Sequence, residues 1–107
     1  MRSGTYPLGS GLRHSLTVIS SPIAGRVVAE ERDDHCLILK LGVGGAFVAC
    51  EHPPAYGERV TLRIGAGGSA FEVEGIVRWL DAGGFGVQFG FCGARETAAL
   101  ARLVQAA

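Results

Sequence analysis

The stretch Leu37-Ile38-Leu39-Lys40-Leu41-Gly42-Val43-Gly44-Gly45-Ala46-Phe47-Val48-Ala49-Cys50 decides the fold. Two apolar runs rich in strand-forming residues flank Gly42-Val43-Gly44-Gly45, and that pattern predicts a β-hairpin. Glycine reaches positive φ without steric cost, so a tight turn asks for it there. A ligand or partner backbone approaching closely would ask for it too.

On the N-terminal side, residues 1–12 carry glycine, serine and proline without periodicity and read as a flexible arm ahead of a barrel unit over residues 13–107. Thr17 to Glu30 is strand-like, with Val18, Val27 and Val28 as formers and Ser20-Ser21-Pro22 as a bend or edge position. Glu31-Arg32-Asp33-Asp34 is a polar turn signal. From His35 to Leu41 a strict alternation would set Leu37, Leu39 and Leu41 on one face and Cys36, Ile38 and Lys40 on the other.

On the C-terminal side, Ala46 to Glu51 returns as a strand and Glu58 to Ile64 alternates cleanly, with Val60, Leu62 and Ile64 inward. Past the turn Gly65-Ala66-Gly67-Gly68-Ser69, a long strand sets Phe71, Val73, Gly75, Val77 and Trp79 against Glu72, Glu74, Ile76 and Arg78. Asp81-Ala82-Gly83-Gly84 turns into Phe85-Gly86-Val87-Gln88-Phe89-Gly90. There the phenylalanines and valine share one face and the glycines leave room for curvature or a close neighbour. After Gly93 the period becomes helical, and Ala94 to Gln105 forms an amphipathic helix on Leu100, Leu103 and Val104. The sum is a mainly all-β chain, a six-stranded antiparallel barrel with one C-terminal α-helix.

Composition narrows the functions. The chain has 107 residues, 48% hydrophobic and 19% charged, which suits one domain with a single core. Ten basic and ten acidic residues are interleaved, so there is no basic footprint for nucleic acid. No apolar run approaches the roughly 20 residues of a membrane helix, and no signal-peptide pattern opens the chain. Three cysteines, an odd number, fit a reducing, cytoplasmic setting without a disulfide framework. The start at Met1 and the lack of a trailing linker favour a single-domain protein over a regulatory fragment of an enzyme.

His35, Cys36, Cys50 and His52 bracket the hairpin and raise a metal site. If Leu41 pairs with Ala46, Cys36 points away from the other three and tetrahedral zinc is not assembled. Buried cysteines acting as small apolar residues explain Cys36, Cys50 and Cys92. No serine or cysteine stands in a nucleophile-elbow context with His14, His35 or His52, and no helix follows the glycine strings to make a phosphate loop. Neither a metal, a cofactor nor catalysis is expected. Mean hydropathy is positive, at +0.29. Ile76 and Leu80, on the polar face of the long strand, with Phe91 and the helix, therefore form a candidate docking or homodimer patch.

The strings Val43-Gly44-Gly45-Ala46-Phe47-Val48, Gly57-Glu58-Arg59-Val60, Val73-Glu74-Gly75-Ile76-Val77-Arg78-Trp79 and Gly84-Phe85-Gly86-Val87-Gln88-Phe89 resemble, in order and spacing, a PilZ domain over about residues 12 to 104. The resemblance implies a bacterial receptor barrel for cyclic di-GMP, whose ligand chemistry rests on R-x-x-x-R before the first strand and D/N-x-S-x-x-G at the central hairpin. Here Arg13 matches the first arginine and Gly45 the final glycine, but Thr17, Lys40 and Gly42 replace the second arginine, the acceptor and the hydroxyl. Lys40 cannot accept from a guanine edge, and each buried group left unpaired loses about 1–3 kcal/mol. Cyclic di-GMP is therefore not expected as a ligand.

Degenerate members of this family act as protein-binding adaptors. The resemblance accordingly implies a non-catalytic adaptor whose protein partners belong to motility or polarity machinery, as in type IV pilus function or other surface behaviour. The alternative is a working receptor with a non-standard pocket, using Arg13, Lys40, Gly42, Gly45 and the arm.

Overall fold

A computed structural model describes residues 16–106. The proposed arm, residues 1–12, and Arg13 lie outside the described residues. The elements are β1 (Thr17–Ala29), β2 (Arg32–Leu41), β3 (Gly45–Ala49), β4 (Arg59–Ile64), β5 (Phe71–Asp81), β6 (Gly84–Phe89) and the helix α1 (Ala94–Ala106), with a single 3-10 turn at Gly67–Ser69. Every neighbouring pair is antiparallel and the sheet closes in the order β1-β2-β3-β6-β5-β4. Closure removes the sheet edges that would otherwise offer unpaired backbone groups.

The interior is apolar throughout. Val27, Ile38, Leu41, Ala46, Val48, Leu62, Ile64, Val77, Phe85, Val87 and Leu100 are completely buried in one cluster, and no charged or polar residue is buried among the described residues. Leu100 brings α1 onto the barrel, with Leu103 and Val104 packed against the same cluster. The seam between β1 and β4 depends on Gly25, which faces Ile64. A β-carbon at Gly25 would lie 2.4 Å from the Arg63 carbonyl oxygen, so only glycine lets these strands close at this spacing.

Three departures from simple alternation shape the barrel. In β2, Ile38 faces Val48 but Lys40 faces Phe47, leaving Leu39 as an extra residue. This bulge reverses the phase. Cys36 and Ile38 point inward before it and Leu41 after it, while Leu37 is 47% exposed, so Leu37 and Leu41 do not share one face as the alternation predicts. In β5, Val77 faces Val87 but Trp79 faces Gly86, with Arg78 as the extra residue. Trp79 therefore leaves the face it was expected to share with Val73 and Val77. In β1 the ladder to β2 is irregular between Val18 and Ile23, which accommodates Pro22 where its missing N–H is harmless.

The central hairpin also uses its glycines differently from the turn reading. The glycines at positive φ are Gly57, Gly65, Gly67 and Gly83, none of them between Leu41 and Ala46. Gly42 and Gly45 are instead buried. The Gly42 N–H donates to the Gly45 carbonyl at 2.9 Å, and the Phe89 N–H donates to the Gly44 carbonyl at 2.9 Å. The loop closes on these backbone hydrogen bonds without a left-handed glycine.

The bulge in β2 makes a direct prediction. Ile38→Ala should lower unfolding stability by about 2–5 kcal/mol, and Leu37→Ala by under about 1 kcal/mol, in urea titrations of the two variants. Comparable losses would mean that the strand keeps unbroken alternation.

Candidate functional site

The bulges at Leu39 and Arg78 align one outward row across five strands. Val18 faces Lys40, Lys40 faces Phe47, Phe47 faces Gly86 and Gly86 faces Trp79. Gly86 alternates with the inward Phe85 and Val87, so its vacant side-chain position points outward, and the Trp79 ring fills it. A β-carbon on Gly86 would lie 1.9 Å from that ring. Trp79 is thus only 6% exposed while standing outside the core cluster. Gly84 does the same for Phe47, whose ring lies 3.0 Å from a β-carbon built there. The two aromatics cover the two glycines of β6, as cross-strand aromatics do.

Lys40 completes the shelf. Its Nζ lies 5.8 Å from the Phe47 ring centroid, a cation–π contact of about 0.5–1 kcal/mol at an exposed site. Leu16, Lys40, Phe47, Trp79, Asp81 and Ala82 line a shallow cleft on this face. Leu16, the first described residue, stands at the edge of that cleft. Of the ligand positions considered from the sequence, Lys40 is on the shelf, Gly42 and Gly45 are buried in the adjoining hairpin, and Arg13 lies outside the described residues.

The candidate partner residues divide. Ile76 and Phe91 line one groove with Arg59, Glu74, Arg78 and Gln88. Phe91 is 96% exposed, and the Arg78 Nε–H donates to Gln88 Oε1 at 3.0 Å. Leu80 does not join them, because the Arg78 bulge sets it opposite Phe85 instead of on the Ile76 face. Phe47 and Trp79 were not legible as outward residues from alternation. The signal that could have found them is the Gly84-Phe85-Gly86 string, two outward glycines beside strands that each carry a bulky ring.

Around the open end of the hairpin, no group of three or more metal-type ligands exists among the described residues. His35 Nε2 lies 3.4 Å from Arg26 Nη1, and Arg32 Nη1 donates to the His52 carbonyl. Arg26 also pairs with Asp33 at 2.6 Å and holds that carboxyl below its usual range. Burial pushes the Cys36 thiol up from 9.0 to about 12, with the charge of Cys50 adding to the effect. Partial burial, and then Glu96, raise Cys92.

The sequence model of the PilZ domain matches residues 12–106, and the chain belongs to the PilZ domain family. Among solved structures, the chain is similar to the Bacillus subtilis inhibitor of motility MotI/DgrA, at 17% identity and a TM-score of 0.66 over 88% of this chain; the chain spans half of that protein. It is also similar to the PilZ domain of CeSA from a cellulose-synthesizing bacterium, at 16% identity and a TM-score of 0.64, covering 82% of this chain and 94% of the other. The PilZ domain of Escherichia coli YcgR, solved with c-di-GMP, matches at 12% identity and a TM-score of 0.67 over 85% of each chain. At these identities the likeness shows the fold. Curated protein sequences give no match. PilZ domains are non-enzymatic regulatory or binding domains, and no helix among the described residues is long and apolar enough to cross a membrane.

Two measurements test this face and the hairpin beside it. Gly86→Ala should cost about 1–3 kcal/mol by forcing the Trp79 ring aside, and most of that loss should vanish in a Trp79→Ala background, followed by circular dichroism in urea. For Cys36, the raised thiol pKa means that folding favours the neutral form. Its stability contribution is complete below pH 9 and is lost as pH rises toward about 12. The alkaline fall in urea midpoint should therefore be shallower in Cys36→Ala than in the parent protein.

Proposed function

We propose that this PilZ domain is a non-catalytic, cytoplasmic adaptor that acts through protein contacts in motility or cell-surface behaviour, with cyclic di-GMP binding lost. The observation that carries the reading is Lys40. Where the family places a hydrogen-bond acceptor for a guanine edge, this chain presents an ammonium lying over Phe47. An ammonium has donors only, and turning it toward a guanine donor would leave both groups unpaired. Thr17, the exposed first residue of β1, supplies no guanidinium fork for a phosphate. Gly42 supplies no hydroxyl.

Protein contact is supported on the other side of β6 by Phe91, almost fully exposed beside Ile76. Exposed aromatic side chains of this kind anchor interfaces. One protein of similar fold is an inhibitor of motility, which supports a role in motility.

Isothermal titration with cyclic di-GMP tests the reading. The parent protein should give no saturable heat up to millimolar ligand, and Thr17→Arg/Lys40→Asp/Gly42→Ser should gain micromolar binding, a change of about 4 kcal/mol or more. Micromolar binding by the parent protein that Arg13→Ala abolishes would overturn it and establish a receptor with a non-standard pocket.

A further inference from the structure

Cys36 and Cys50 flank the open end of the central hairpin, close enough for Cys50 to act on the Cys36 thiol electrostatically. Leu37 faces Ala49, so one further step in that register sets Cys36 opposite Cys50. Both lie on the inner side, since Cys36 belongs to the core cluster and Cys50 packs against it. Facing residues of an antiparallel pair have Cα atoms about 4.5–5.5 Å apart, inside the ~4.4–6.8 Å span of a disulfide. Their Cβ atoms are about 4.5–5.5 Å apart, slightly wider than the ~3.5–4.5 Å of a relaxed disulfide. Closing the bond therefore draws the two chains together. Cys50 is free to follow, because it lies one residue past the end of β3 and a bend at Glu51-His52 comes next.

The two thiols differ in access. Cys50 is half-buried, lines a groove with His35, Cys36, Leu37 and Glu51, and its thiol contacts the His52 carbonyl at 3.7 Å. Cys36 lines the same groove but is only 7% exposed. Cys92, before α1, has its own contact with the Gly90 carbonyl at 3.7 Å and is not part of this pair.

We propose that Cys36 and Cys50 are an oxidisable dithiol, a modification site that a hydroperoxide converts to an intramolecular disulfide by way of Cys50. The Cys50 thiolate attacks a peroxide oxygen and the O–O bond breaks. With hydrogen peroxide this leaves a sulfenic acid on Cys50 and, after protonation, one water. The Cys36 sulfur then attacks the Cys50 sulfur and the S–O bond breaks. The departing hydroxide takes the Cys36 proton as a second water. Two thiols lose two hydrogens and two electrons in all, and the peroxide is reduced to two waters. The order follows from access. Once Cys50 carries a neutral sulfenic acid, the repulsion it exerts on a Cys36 thiolate is gone, which eases the second step. A bond closed over a slightly wide pair is readily reduced, as a labile rather than structural disulfide is. The proposal is independent of whether the shelf binds a nucleotide.

The test is a thiol count on the reduced, full-length protein before and after hydrogen peroxide, read in denaturant, with a non-reducing peptide map. The count should fall from three to one, with a crosslinked peptide joining Cys36 to Cys50. Cys50→Ser should keep both remaining thiols under the same dose, and Cys92→Ser should lose both of its own. Sulfinic acid on Cys50 beside an intact Cys36 thiol would overturn the proposal. A linkage through Cys92 or between molecules would do the same.

Discussion

Closing six short strands into a barrel is the constraint on which everything else in this molecule depends. Each strand must curve and keep a staggered register, and straight alternation cannot supply both. The extra residues Leu39 and Arg78, and the irregular stretch around Pro22, absorb the mismatch. At the seam, where no insertion relieves the crowding, Gly25 lets β1 approach β4. The apolar interior then fills without any buried charge among the described residues.

The same bulges build the outer face. By reversing phase between Ile38 and Lys40 and between Val77 and Trp79, they bring Lys40, Phe47 and Trp79 to one level. The glycines of β6 become floor for the two rings rather than flexible points. The shelf carries two rings, the Lys40 ammonium above Phe47 and the Asp81 carboxylate at its rim.

Interior and exterior are under separate constraints, which is why the family's fold persists here while its ligand motif does not. Gly45, retained from the motif, is buried at the start of β3 and faces Gln88. Thr17 and Lys40 are exposed, where packing leaves the choice of side chain open. The exposed Phe91 lies on a different side of β6, beside Ile76, so the two faces can change independently.

Most of the architecture was legible in the order of residues. Short runs of β-branched and aromatic residues between glycine turns, with a helical period only after Gly93, already define six strands and one helix, because local hydrophobic periodicity is set by which face each element buries. That Lys40 stands at the family's acceptor position is likewise read from the residues alone. What the residues alone could not show was where alternation breaks. A bulge is decided by the partner strand across the ladder, and neither Leu39 nor Arg78 carries a local sign of it. For that reason Leu37, Trp79 and Leu80 were assigned to the wrong faces, and Phe47 with Trp79 went unnoticed as a shelf. Which cysteine faces which is also a matter of register between strands. Sequence by itself determined the set of elements and the missing motif, and only the closed barrel decided which side chains meet, since that depends on contacts between residues far apart in the chain.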